Sequence, residues 1–152
     1  MTDPRWVPSF FIAGAPKAGT SSMFRWISDH PDAFGSRDKE TYFFVDPGTH
    51  MYRSHFHISN GLDSYRAQFP VPEGARPAII LEATPGYLYS ETALAHIPGL
   101  STRPRCLFIL RDPAEQVYSL FSYFSKNWDW IPREMSFAEY LSAVEARSHA
   151  FK

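Results

Sequence analysis

The residues best suited to hold a charged ligand stand together near the start of the chain, in Phe10-Phe11-Ile12-Ala13-Gly14-Ala15-Pro16-Lys17-Ala18-Gly19-Thr20-Ser21-Ser22. A short apolar run leads into a loop with two glycines and Lys17, and the loop ends in three hydroxyl residues. An apolar run, a glycine-rich turn and a helical pattern make a strand, a loop and a helix N-terminus. The backbone N–H groups of such a loop and the positive end of the helix both favour a phosphate. Lys17 adds a full charge, and Thr20, Ser21 and Ser22 add hydroxyl donors. The spacing differs from the ATP/GTP loop, which needs Gly, four residues, then Gly-Lys-Ser/Thr. Gly14 and Gly19 have that separation, but Thr20 follows Gly19 and the lysine sits two places before it. In that register the hydroxyl after the lysine, which would hold Mg²⁺, is absent. The plain alternative is an ordinary turn between strand and helix.

Other residues could add to this chemistry. Arg111 follows an apolar run, and Ser119 lies eight residues on. If a helix starts at Asp112-Pro113, two turns bring Ser119 towards the loop mouth, and the pair could grip a second phosphate. The bland alternative pairs Arg111 with a surface carboxylate. Lys39-Glu40 offers a carboxylate beside a cation, although such pairs in loops are usually solvated. Glu82 ends another apolar run. His50, His55 and His57 cluster in sequence, but no cysteine lies near and no carboxylate has tight ligand spacing, so no metal site is expected. Trp128 and Trp130 read as lid or core packing rather than a sugar platform.

These groups need elements to position them. Residues 9–13 read as a first strand. Thr20 or Ser21 caps a helix to about His30, which Pro31 ends. Residues 32–48 read as extended or loop, Asn60-Gly61 as a turn and 62–69 as a short helix. Residues 78–81 form an apolar run without polar alternation, as in a central parallel strand, and deliver Glu82 at its C-terminal end. A short helix over 90–96 precedes a third strand over 106–110, in which Cys106 is expected to be buried. Asp112-Pro113 opens a helix to about Lys126. A Ser136/Glu139 capping box starts the last helix, from 137 to about 146. Strands alternating with helices predict an α/β fold, an open parallel sheet flanked by helices. Ligands of such sheets bind beyond the carboxyl ends of the strands, where Lys17, Glu82 and Arg111 all fall.

Composition narrows the function classes. A chain of 152 residues fits one domain with a core. Thirteen phenylalanines and eight tyrosines point to an aromatic-rich interior or groove. A net charge of −1 gives no global pull towards nucleic acid or an anionic membrane, so any anion affinity is local. One cysteine excludes an internal disulfide framework and suits a reducing compartment. No apolar stretch approaches the roughly 20 residues that span a bilayer. Arg5 precedes an apolar run over 6–15, but cleaving it as a signal peptide would destroy the phosphate loop. A cytoplasmic protein is the expectation.

Pro16-Lys17-Ala18-Gly19-Thr20-Ser21 resembles the 5′-phosphosulfate loop of the sulfotransferases, Pro-Lys-(Ser/Ala/Thr)-Gly-Thr-(Ser/Thr), nearest to the heparan-sulfate type and its bacterial relatives. Leu110-Arg111-Asp112-Pro113 with Tyr118-Ser119 looks like the second signature of that family. Lys39-Glu40-Thr41-Tyr42-Phe43-Phe44 resembles its Lys-Glu-x-x-Phe-Phe segment, with Tyr42 in place of a common histidine. Tyr65-Arg66-Ala67-Gln68-Phe69-Pro70 and Glu82-Ala83-Thr84-Pro85-Gly86-Tyr87-Leu88 add further likeness. The resemblance implies a P-loop-like α/β fold and transfer of a sulfuryl group from 3′-phosphoadenosine 5′-phosphosulfate (PAPS), without a metal, leaving adenosine 3′,5′-bisphosphate (PAP).

It implies that Lys17, Ala18, Gly19, Thr20, Ser21 and Ser22 hold the 5′ end of the donor and that Arg111 and Ser119 hold the 3′-phosphate. Glu40 is the implied general base, with Lys17 and Lys39 as catalytic cations. Glu82 and Tyr87 fall near the acceptor cleft. Glu82 could equally pair with Lys17 or Arg111 as a strand-end carboxylate. The acceptor is a hydroxyl or amine, with a carbohydrate or glycolipid favoured. The likeness covers the N-terminal part of the family's domain, so an incomplete domain is expected, with a homo-oligomer or a completing chain among its partners. Two other readings stay open: a nucleotide kinase or NTPase with a variant phosphate loop and Glu82 as its strand-end acid, and a truncated module that binds without turnover.

Overall fold

The computed structural model describes residues 7–128 and 130–146. Arg5, Trp6, Asp129 and Phe151-Lys152 lie outside the described residues. The chain divides into two compact units, Met1–Leu110 and Arg111–Lys152.

The first unit carries β1 (Phe10–Gly14), α1 (Thr20–Ser28), β2 (Ala33–Gly35), α2 (Asp63–Arg66), β3 (Ile79–Glu82), α3 (Glu91–His96) and β4 (Arg105–Phe108). Its sheet is parallel throughout, in the order β2-β3-β1-β4. The order changes direction at β1, so the loop after β1 leaves the sheet at a topological switch, the place where open α/β sheets bind ligands.

Successive strand residues face opposite sides of a sheet, and the core follows that rule. Phe11 and Ala13 of β1 enter an aromatic cluster with Phe43, Phe44, Tyr65 and Tyr87. Ile12, between them, faces α1 with Leu81 and Ala83. Ile80 belongs to the aromatic side, and the same alternation turns Glu82 towards that side too. Both faces of the interior strands are therefore covered, which is why β1 and β3 read as unbroken apolar runs. The aromatic interior expected from composition is this cluster.

Several boundaries differ from the expectation. The N-cap of α1 is Gly19, in a left-handed conformation with no side-chain cap bond, and neither Thr20 nor Ser21 caps the helix. The helix ends at Ser28. Residues 33–35, within the segment expected as extended or loop, are extended and pair with β3 as an edge strand. Between Leu62 and Phe69 only Asp63–Arg66 is helical. The third strand begins at Arg105 and lies at the sheet edge, so Cys106 is exposed rather than buried. Its neighbours still desolvate the thiol enough to raise its pKa. Ser90, read as the first residue of a helix, is instead the N-cap of α3, its hydroxyl accepting from Ala93 N at 3.2 Å.

The second unit holds α4 (Pro113–Asn127) and α5 (Phe137–Glu145). Asp112 caps α4 through Glu115 N at 3.1 Å, with Pro113 at the first turn. The expected capping box of α5 is complete, Glu139 N donating to Ser136 Oγ at 3.3 Å and Ser136 N to Glu139 Oε2 at 2.7 Å. The two helices meet through Phe121, whose ring centroid lies 5.3 Å from that of Phe137 and 5.3 Å from that of Tyr140. Trp130 stacks on Phe124 at 5.0 Å, the packing role expected of it, while Trp128 is half exposed. Among the described residues no helix is long and apolar enough to cross a membrane.

Candidate active site

The glycine-rich loop that joins β1 to α1, expected to hold a phosphate, is tied down at its root. Ala15 N donates to Ile109 O and Ile109 N to Gly14 O, each at 2.8 Å. Lys17 and Gly19 both adopt positive φ, 62° and 91°. That is a routine conformation for Gly19 and a costly one for Lys17. Nothing lies within 4 Å of where a Cβ on Gly19 would stand, so the backbone there is open to close approach. With no side chain capping α1, the N–H groups of its first turn are left to other acceptors. Ser21 and Ser22 are exposed beside them, and Thr20 is buried. Open backbone at a left-handed glycine, an uncapped helix start, a lysine and hydroxyls form a donor set that suits a phosphate group, so these residues fit the 5′ end of the implied donor.

Lys39 and Glu40 come to this loop from a distant part of the chain. Lys39 Nζ donates to Thr20 Oγ1 at 3.4 Å and to Glu40 Oε1 at 2.6 Å. Their side chains are 21% and 33% exposed, so the pair is neither free in solvent nor sealed. The Tyr42 hydroxyl donates to Glu40 Oε2. Both oxygens of Glu40 are thus held, one by an ammonium and one by a phenol, beside the phosphate loop. Tyr42 itself has φ 55°, a strained value for an aromatic residue. Sequence reasoning treated Tyr42 only as a departure from a pattern. Its place two residues after Glu40 in a turn was the available signal.

Glu82 and Tyr87 sit differently from either expectation. Glu82 is fully buried. Its Oε1 accepts from Thr41 Oγ1 at 2.8 Å and Thr84 Oγ1 at 2.6 Å, and its Oε2 accepts from the Tyr65 hydroxyl. Burial raises the carboxyl above its ordinary value, against the pull of those hydroxyls. The strand-end ion pair with Lys17 or Arg111 is replaced by hydroxyl donors, because strand alternation turns Glu82 into the aromatic side of the sheet. Tyr87 is 5% exposed, and its hydroxyl meets Thr41 Oγ1 at 3.2 Å and Phe44 N at 3.3 Å. Neither residue presents its polar end to solvent, where an acceptor would meet it. Thr41, Thr84 and Tyr65 escaped sequence reasoning, since nothing local marks a contact across 41 or 17 residues.

His57 is buried, with Nδ1 2.9 Å from Ser59 Oγ, while His50 and His55 are exposed. In the second unit, Arg111 Nε donates to Glu115 Oε2 at 2.9 Å, the carboxylate pairing raised as its bland alternative. Ser119 lies half-buried on α4.

No family model matches the chain. It is 26% identical over 137 residues to the human bifunctional heparan sulfate N-deacetylase/N-sulfotransferase 3 and 28% identical over 142 residues to the human N-deacetylase/N-sulfotransferase 2. Each alignment covers 90% of this chain and 15% of the relative. Among solved structures, a sulfotransferase from Alicyclobacillus acidocaldarius superposes with a TM-score of 0.74 at 27% identity, over 95% of this chain and 60% of the other. The chain is therefore similar to sulfotransferases in both sequence and fold. The chain spans about 15% of the length of these curated relatives and 60% of the solved one. Its parallel sheet with flanking helices is the α/β fold expected.

Proposed function

We propose that the chain serves sulfuryl transfer from PAPS to a hydroxyl or amine of a carbohydrate acceptor, with Glu40 as general base. The observation that carries this reading is Lys39, which joins Thr20 of the phosphate loop to the Glu40 carboxylate. A base belongs within reach of the group being transferred, and this contact puts Glu40 beside the loop suited to the donor's phosphate. When bound, the donor supplies an activated sulfuryl group on a phosphate leaving group. Lys17, Thr20 and the loop N–H groups stabilise the negative charge that grows on that phosphate. Glu40 accepts the acceptor's proton as its oxygen or nitrogen bonds to sulfur.

The kinase reading loses its support, since Glu82, the strand-end acid it relied on, is engaged by three hydroxyls inside the fold. The heparan sulfate named in the curated relatives favours a carbohydrate acceptor, and the single cysteine is in keeping with a cytoplasmic setting.

Titration with PAP, followed by thermal shift with and without EDTA, tests the donor site, and a Glu40→Gln variant tests the base. Binding that ignores EDTA is expected, with Glu40→Gln binding PAP like the parent while turnover falls about 10²- to 10⁴-fold. Normal turnover in Glu40→Gln would refute the assignment, and binding of ATP alone, only with Mg²⁺, would refute the donor.

A further inference from the structure

Behind the Lys39–Glu40 pair stands a buried strut with no catalytic part in the reading above. Three contacts run from the end of β3 to the 39–42 turn. Thr41 Oγ1 donates to Glu82 Oε1 at 2.8 Å, Tyr42 N donates to Thr84 Oγ1 at 3.4 Å, and Ala83 N donates to Lys39 O at 3.1 Å. Thr84 in turn donates to Glu82, so the side-chain contacts converge on one carboxylate. The α2 side closes the ring, with the Tyr65 hydroxyl on Glu82 Oε2.

Every member is interior: Thr41 is 2% exposed, and Glu82, Thr84 and Tyr65 are 0% exposed. A buried carboxylate is expensive unless its hydrogen bonds are complete. Apolar packing alone would therefore have served the core better here. What the carboxylate adds is direction. It fixes the hydroxyl of Thr41, between Glu40 and the strained Tyr42, and a strained residue persists only where its surroundings over-determine it. The Tyr42 hydroxyl then holds Glu40 Oε2.

We infer that Glu82 is a positioning residue for Glu40, acting through Thr41 and Thr84 to hold the 39–42 turn against the phosphate loop, and that it does not contact the acceptor. The inference deepens the proposed function and rests on Glu40 as the base. The linkage runs from a strand end through a hydroxyl to the turn, so cutting it should loosen the turn without unfolding the sheet.

Thr41→Val is the direct test, because it keeps the shape and removes the hydroxyl. Native-state hydrogen exchange reads the Tyr42 and Ala83 amides against the amides of β1, and steady-state kinetics read kcat and donor KM. Exchange at Tyr42 and Ala83 should rise about tenfold, the factor for one hydrogen bond to a charged group, with β1 unchanged. Turnover should fall by a similar factor, with donor KM within about twofold, and Thr41→Ser should restore both. Should Thr41→Val expose β1 as well, Glu82→Gln, which keeps the shape but turns one accepting oxygen into an N–H donor, takes its place with the same expected pattern.

Unchanged exchange at Tyr42, or faster exchange with unchanged kcat, overturns the inference. If the parent chain transfers no sulfuryl group at all, it is the proposed function that falls, and the exchange pattern still decides whether Glu82 holds the turn.

Discussion

Replacing Phe43 with alanine should remove one of the firmest anchors of the first unit. The Phe43 ring is 0% exposed. It stacks on Tyr65 at 4.3 Å and meets Phe44 and Phe56 edge-on, each at 5.0 Å. Truncating a buried phenylalanine typically costs about 3–5 kcal/mol, the transfer loss plus the cavity it leaves. Each aromatic pair accounts for roughly 0.5–1.5 kcal/mol of such a sum. With three ring partners and no exposure, the loss should reach at least the middle of that range, about 4 kcal/mol. For a urea dependence of about 2 kcal/mol per molar, the midpoint should fall by about 2 M. Phe43→Leu retains much of the apolar volume and should lose on the order of 1–2 kcal/mol. The assay is urea unfolding followed by far-UV circular dichroism, with tyrosine fluorescence as a second probe because Tyr65 lies against the lost ring. An alanine variant whose midpoint moved by less than about 0.5 M would show that the cluster does not hold the unit, and would sink the packing account given above.

Two further outcomes can be stated. Burial raises the Glu82 carboxyl above its usual value near 4.5, so the folded chain holds that proton more tightly than the unfolded one. Its contribution is fully present below the unfolded value and is lost as pH rises through the folded value. Urea midpoints of the parent minus those of Glu82→Gln should therefore decline with rising pH and then level off, and a difference that grew with pH would contradict the buried placement. Gly14→Ala would put a Cβ 2.9 Å from Leu88 Cβ and 3.1 Å from its Cδ2, where the 85–89 turn packs on the end of β1. A loss of about 1–3 kcal/mol in the same urea assay is expected, and an unchanged midpoint would mean the turn moves freely.

Much of this protein is local and so was visible in the order of its residues. The apolar runs that became β1 and β3, the Asp112-Pro113 start of α4 and the Ser136/Glu139 box of α5 all depend on neighbours within a few positions. Patterns of period 2 or 3.6 and short-range caps carry that information. The Pro16–Ser22 loop was legible for the same reason, as a chemical series lying between a strand and a helix. Cys106 shows the limit. An apolar run cannot say whether a strand is interior or at an edge, because that depends on which strands pair with it. The fates of Glu82 and Glu40 were harder still. Whether Glu82 would face a cleft or the core turned on one step of strand alternation combined with hydroxyls brought from 41 and 17 residues away. The sequence by itself determined most of the elements, though not all their bounds, and the glycine-rich loop between β1 and α1. Only the tertiary structure decided that Lys39 would reach Thr20, that Tyr42 would hold Glu40 and that Glu82 would be buried, since hydrogen bonds between distant segments exist only once the chain has folded to bring their partners within 3 or 4 Å.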